Sequence, residues 1–249
     1  DKDNKVKCFC LEEGNYVAET RMDVPVSAIY PNASGTRVVI KDVTGGAQFY
    51  APVNEKRLPI PNFSSSVTHV IWDISDHNLF VVCEPERVLA YLYSPSTLHG
   101  STVEPVRELL SVEDLDTKIR ESVTIIEKGQ KPLVLFNGAL FCHNQVQGNV
   151  KGNFLSSHTY INQWRGRSDS QEGHYRYFLQ SLSLKRFQQC FNVSEKLGGV
   201  KIPEILGKLS LENLDLETAE KAYQLSKNVG MVYAIRSIKH EMEKQILLG

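Results

Sequence analysis

One layout recurs along the first two-thirds of the chain. Short runs of alternating apolar and polar residues, separated by turn residues, begin again at Val26, Val67 and Val123. The first gap is 41 residues and the second 56. The first unit reads VSAIYPN, TRVVIKDV, AQFYAPV, KRLPIPN, with turns around Ser34-Gly35 and Thr44-Gly45-Gly46. The second reads VTHVIWDI, LFVVCE, RVLAYLYS, with turns at Ser75–Asn78 and Pro85-Glu86. The third reads SVTIIEKG, KPLVLFNG, ALFCHNQV, NVKGNFLSS, and its Asn137-Gly138 pair suits the positive φ angles of a tight hairpin. Two strands around Gly14, over 5–22, make a half unit. A repeat of about 40–45 residues with four short strands is the pattern of a β-propeller blade, which buries both faces against its neighbours. Residues 1–160 are therefore expected to form all-β, WD40-like blades of a partial propeller. Val26, Val67 and Val123 should hold equivalent inner positions. The longer second gap is an acidic, partly helical insertion, EPVRELLSVEDLDTKIR (104–120), expected to hang from a loop, where length costs little.

The Trp72-Asp73 pair ends the first strand of its unit, whereas the dipeptide that names WD repeats ends the third. An aromatic at this place is expected to pack between blades. Three units and a half make less than an ordinary ring, so free strand edges and self-association are expected. The start at Asp1, within a strand pattern, and the end within a helical one read as a piece of a longer protein.

Residues 161–172 are read as a linker, with Trp164, Arg165 and Arg167 as contact or joint residues. From 173 to 249 the apolar period becomes helical. Tyr175, Phe178, Leu179 and Leu182 share a face, and Leu184, Phe187 and Phe191 continue it after a small phase shift, to Gly198-Gly199. A second helix has Pro203 in its first turn. Asp215 caps a third, with Ala219, Ala222 and Tyr223 in a narrow stripe. A fourth runs from Met231 with Ile235, Ile238, Met242 and Ile246 on one side. Short helices joined by short turns predict an all-α, tetratricopeptide-like solenoid.

Reactive chemistry is hard to find. No phosphate-binding loop, dinucleotide fingerprint, H-E-x-x-H or G-x-S-x-G occurs. A net charge of −1 lacks the basic surface that nucleic acid demands, and no apolar run is long enough to span a membrane. The five cysteines (Cys8, Cys10, Cys83, Cys142, Cys190) include no C-x-x-C pair and are read as reduced thiols. Cys8 and Cys10 are expected to share a strand face. Cys142 and His143 are adjacent on a strand, so they face opposite ways and cannot share an ion. Carboxylates at turns, such as Glu84 and Glu86, are explained by solvation, and the sequons at Asn32, Asn62 and Asn192 are discounted. No catalytic, cofactor-binding or metal-binding residue is assigned. A rigid surface without a reactive centre describes a scaffold rather than an enzyme.

Several stretches resemble one family in collinear order: VSAIYPNASGTRVVIKD (26–42), APVNEKRLPIPNF (51–63), KPLVLFNGALFCHNQVQGNV (131–150), LSSH (155–158), LKRFQQCF (184–191) and KNVGMVYAIRSIK (227–239). They are similar to the intraflagellar transport protein 144 (WD-repeat protein 19) family, WD-repeat subunits of intraflagellar transport complex A. LENLDLETAEKAYQ (211–224) is also similar to helical repeats of the sister subunits. The resemblance implies the end of a second propeller and the first helical repeats. It implies a non-catalytic scaffold in retrograde ciliary transport and in ciliary import of membrane cargo. It further implies other complex A subunits and tubby-like cargo adaptors as partners, and a place at the cytoplasmic side of the cilium and basal body. A coatomer-like vesicle-coat subunit shares the architecture and is the alternative. A propeller enzyme or a ubiquitin-ligase adaptor ranks third.

Overall fold

The computed structural model describes residues 4–10, 12–107, 109, 111–112, 123–126, 129–154 and 170–248. Contacts divide the chain into a sheet unit and a helical unit.

The sheet unit holds four antiparallel sheets met in chain order. A hairpin pairs β1 (Lys5–Phe9) with β2 (Tyr16–Arg21). The next sheet orders β3 (Val26–Pro31), β4 (Val38–Asp42), β5 (Ala47–Ala51) and β6 (Lys56–Pro59) side by side. A third orders β7 (His69–Trp72), β8 (Leu79–Cys83), β9 (Arg87–Ser94) and β10 (Thr102–Pro105). The last joins β12 (Gln130–Phe136), β13 (Ala139–Asn144) and β14 (Val150–Phe154). These are blade-like meanders, as the repeat predicts.

The third unit departs from expectation. β11 (Val123–Ile125) joins β9 and does not open the last sheet. Val123 therefore lies on the outer strand of the β7–β10 sheet, and the first strand of the last sheet is β12. The cause is a mismatch in length. β9 has eight residues, but β10 pairs only with Tyr91–Ser94. Arg87–Leu89 would be a bare edge, and β11 fills it, Val123 opposite Leu89 and Ile125 opposite Arg87. Among the described residues the last sheet has three strands.

Burial follows from the stacking. β3 alternates half-buried and exposed residues, whereas all of β8 and all of β9 after Arg87 are buried. The middle of the β7–β10 sheet is covered on both faces, so β8 is apolar at every position and β9 at all but its ends. Against β3–β6 it packs Phe80, Val82, Leu89, Tyr91 and Tyr93 with Val39, Phe49 and Ala51. The aromatic rings of this core stack directly, Phe49 on Tyr93 at 4.3 Å and Phe80 on Tyr91 at 5.5 Å between centroids. A smaller core of Val6, Met22, Val38, Ile40 and Tyr50 joins the hairpin to the β3–β6 sheet.

The helical unit contains α1 (Gln171–Ser183), α2 (Phe187–Leu197), α3 (Lys201–Glu212), α4 (Leu216–Leu225) and α5 (Val229–Leu248). The expected phase shift after Leu182 is a chain reversal, so one predicted helix is two. Lys185 takes φ 53° between them. Leu214 and Lys227, at φ 59° and 60°, end α3 and α4 in the same way. α1 packs on α2, and α3 packs closely on α4. In the second pair Gly207 leaves room for Tyr223, whose ring lies 2.7 Å from where a β-carbon would stand. Asp215 caps α4 as predicted, accepting from the Thr218 amide at 3.0 Å. On α5, Ile235 is buried, but Ile238 and Met242 are half exposed. The expected stripe is thus only partly covered by α4.

Two expectations concern chain boundaries. α1 begins at Gln171, capped by the Ser170 hydroxyl, inside the stretch read as linker. The remainder of that stretch, 161–169 with Trp164, Arg165 and Arg167, lies outside the described residues. The 104–120 insertion does not hang free where it is described. Glu104 and Pro105 belong to β10, and Leu109 and Val112 are buried in the helical core. Its residues 113–120 are outside the described set.

Candidate functional site

Among the described residues of the sheet unit, Asp73 at the end of β7 accepts five hydrogen bonds, and its neighbour Trp72 is buried beside it. Trp72 points toward the β3–β6 sheet. Its ring sits 4.8 Å from Phe80 and 6.4 Å from Phe49, and its indole N–H donates to the Tyr30 carbonyl at 3.0 Å. Asp73, only 2% exposed, reaches toward the last sheet. Its Oδ1 accepts from the Ser75 amide and hydroxyl, both at 2.8 Å, and from the Asp76 amide at 3.1 Å. It also accepts from the Asn137 amide at 3.1 Å, and Oδ2 accepts from the Gly138 amide at 2.7 Å. Beside it, the Ile74 amide donates to the Leu135 carbonyl at 3.0 Å, and Asp73 forms a parallel bridge with Leu135.

Adjacent residues of a strand face opposite ways, so one dipeptide ties its own sheet to the sheets on either side. Asn137-Gly138 is the hairpin predicted from sequence, with φ 50° and 75°. Both amides at its tip point away from their own ladder and need an acceptor; the neighbouring blade's carboxylate serves both, and its Ser75 hydroxyl also accepts from the Asn137 amide at 3.0 Å. With five donors the carboxylate's accepting capacity is committed, which makes Asp73 a clamp. Asp42, at the end of β4, shows the contrast. It accepts from Thr44 and Gly46 and stays within its own turn.

The remaining reactive groups do not converge. Burial, then the neighbouring Cys142, pushes the Cys83 thiol up to about 12, and burial alone pushes Cys142 up to about 11. Burial raises Cys190 further still. Such thiols are poor nucleophiles at neutral pH. All five cysteines are free. Cys8 lies in β1, but a register shift follows it and Cys10 falls beyond the strand, so the two do not share a ladder face. Burial, then Lys131, holds His69 below its ordinary value and hence neutral. Cys142 is buried while His143 is half-buried, as adjacent strand residues should be. Among the described residues, no three potential ligands gather at metal distance, and no helix is long and apolar enough to cross a membrane. A cleft of about 560 Å³ between β1 and β3 is lined, among the described residues, by Asn4, Lys5, Val6 and the Pro25–Ile29 segment, which include no carboxylate, histidine or cysteine. Glu84 is buried with Arg87 at 2.6 Å, and Glu220 on α4 binds Arg236 and Lys239 of α5, both at 2.7 Å. These are structural ion pairs.

Sequence reasoning singled out Trp72 as an inter-blade packing residue, and the structure places it there. It missed the role of Asp73. The available signal was the Asp-x-Ser spacing after a strand, which marks an Asx turn and so a structured carboxylate.

Comparison with known proteins fits this description. Residues 2–158 match the family model of the WDR19 second beta-propeller. The chain is 28% identical over 247 residues to WD repeat-containing protein 19 of Homo sapiens, covering 98% of this chain and 17% of that protein. It is also 28% identical over 244 residues to the Mus musculus protein of the same name, at 97% and 17% coverage. The chain thus spans about a sixth of the length of these curated relatives. Among solved structures, Kluyveromyces lactis Hsv2 shows a TM-score of 0.32 at 6% identity, over 64% of this chain and 57% of that one, a likeness too slight to carry a fold assignment.

Proposed function

The chain belongs to the WDR19 second beta-propeller family, and on that premise we propose that it is part of a non-catalytic scaffold subunit of intraflagellar transport complex A. It is a partial β-propeller of the WD-repeat class followed by helices. In this reading residues 1–160 hold the closing blades of a propeller, and the helices from Gln171 onward are the first tetratricopeptide-like repeats, with a joint before them. The parent serves retrograde transport along the cilium and the import of membrane cargo. Its partners are other propeller–solenoid subunits and tubby-like adaptors, and it works at the cilium and basal body.

The observation that carries this reading is the collinear match, which runs through both the sheets and the helices over 98% of the chain. The chemistry is in keeping with it. The best-built polar constellation, around Asp73, spends its bonding capacity on holding blades together. A test is to recover the full-length parent from ciliated cells and identify what comes with it. Co-purification with other propeller–solenoid subunits, and fluorescence along the axoneme, are expected. Recovery of coatomer in their place would reject the proposal.

A further inference from the structure

The hairpin tip that Asp73 holds carries the one Asn-Gly pair of the sequence, Asn137-Gly138. Asparagine is thermolabile, and a following glycine, with no side chain in the way, lets its backbone nitrogen reach the asparagine side chain. The Gly138 nitrogen gives up its proton and attacks the Asn137 Cγ. A C–N bond forms, the bond from Cγ to the side-chain nitrogen breaks, and that nitrogen leaves as ammonia, carrying the proton. Water then opens the cyclic imide at either carbonyl, to aspartate or to isoaspartate. Water is the only co-reactant.

The fold obstructs the first step. Asn137 is exposed, but Gly138 is buried. The proton that must leave is the one donated to Asp73 Oδ2 at 2.7 Å, and the amide anion would form against a carboxylate, like charge beside like. The Asn137 amide is bonded to Asp73 Oδ1 at 3.1 Å and to the Ser75 hydroxyl at 3.0 Å. With the amides on both sides of Asn137 held, the Gly138 nitrogen cannot swing onto Cγ.

We propose that Asn137-Gly138 is a latent isoaspartate site, kept intact by Asp73 of the neighbouring blade. The modification requires the blade junction to open first. Isoaspartate routes the main chain through the former side chain and so inserts a carbon between the two tip amides. They then no longer match the spacing of one carboxylate, and a junction that has opened and reacted does not reclose as before. The pair is a covalent record of opening. This inference is independent of which transport complex the parent joins.

The test is the rate of deamidation at Asn137, followed by peptide mass mapping at neutral pH, with the same chain unfolded in guanidinium as the reference. The folded, unaltered chain is expected to react at least about tenfold more slowly than the unfolded one. An Asp73→Ala chain of unaltered circular dichroism is expected to regain most of that difference, and Asp73→Asn, which keeps an oxygen acceptor, less of it. Equal rates in the folded and unfolded chains overturn the proposal. So does an Asp73→Ala chain that reacts no faster than the unaltered one, or more slowly, which would make the carboxylate a promoter of the attack. Should Asp73→Ala fail to fold, hydrogen exchange on the unaltered chain decides. Over a series of denaturant concentrations too low to unfold it, deamidation is expected to rise in proportion to exchange of the Gly138 amide while β8 amides stay protected. Deamidation that follows β8 exchange instead makes global unfolding its only route and rejects the guard.

Discussion

The two units hold themselves together by different means. In the helical unit each element packs chiefly on its sequence neighbour, α1 on α2 and α3 on α4, and the cement is apolar contact with small residues at the closest approach. In the sheet unit, successive blades are far apart in sequence, and their union relies on a few long-range polar clamps beside the aromatic core. Tyr30 and Trp72 are 42 residues apart, Asp73 and Gly138 are 65 apart, and each pair joins two sheets. Local packing tolerates the loss of one contact, because others of the same kind remain. Asp73 serves two backbone amides at once, and the Ser75 hydroxyl, at 3.0 Å from the Asn137 amide, shares one of them. Damage to the clamp is therefore expected to cost more than damage to a helix contact, and to loosen whole sheets.

The largest effect belongs to Trp72→Ala. Removing a buried indole leaves a cavity and orphans the Tyr30 carbonyl, and is expected to cost about 3–5 kcal/mol in denaturant melts. A loss under about 1 kcal/mol would show that the aromatic core does not rely on it. Asp73→Ala comes next, at about 3 kcal/mol, because the buried Gly138 amide of the neighbouring sheet loses its bond to Asp73. Asp73→Asn should be milder, since an amide oxygen replaces Oδ1 while the Gly138 amide meets an NH₂ group or must turn away. The comparison would break if the alanine and asparagine variants melted alike.

In the helical unit, Gly207→Ala pushes a β-carbon into the Tyr223 ring and should cost about 1–3 kcal/mol, with the α3–α4 amides losing protection first. Tyr223→Leu in the same chain should recover part of the loss by clearing the overlap. The smallest effect is expected from Glu220. Hydrogen bonds from Lys239, then Arg236, hold its carboxyl below its ordinary value near 4.5. A group depressed by folding stabilises above its unfolded pKa and stops doing so as pH falls through the lower folded value. Glu220→Gln should therefore cost about 0.5 kcal/mol at pH 7, and the gap to the unaltered chain should close below pH 4. A gap unchanged between pH 7 and pH 3 would show that the ion pairs contribute nothing.

The same contrast explains what the sequence disclosed. Strand runs, the Asn137-Gly138 hairpin and the Asp215 cap are local signals, and each stands where the residues point. The α1–α2 break was missed because its positive-φ residue is Lys185, not glycine, and the apolar period barely shifts across it. The sequence places Val123 in the last sheet and the structure does not, because a strand's partner depends on which edge is bare. Only the unequal lengths of β9 and β10 determine that. The insertion's polar composition masked Leu109 and Val112, whose destination lies more than 60 residues away in sequence. Asp73 was legible as a turn residue. Its reach into the next sheet was not, because no local rule says where a carboxylate's second oxygen points.

The most direct test of the clamp is the exchange rate of two amides in the unaltered chain. Asn137 and Gly138 sit at a hairpin tip, where amides ordinarily exchange almost as fast as in an unstructured peptide. Bonded to Asp73, they are expected to exchange as slowly as amides in the middle of β8, and in Asp73→Ala the Gly138 amide is expected to revert to tip rates, with that of Asn137, which also donates to the Ser75 hydroxyl, following less fully, while β13 stays protected. Fast exchange of both amides in the unaltered chain would contradict the account.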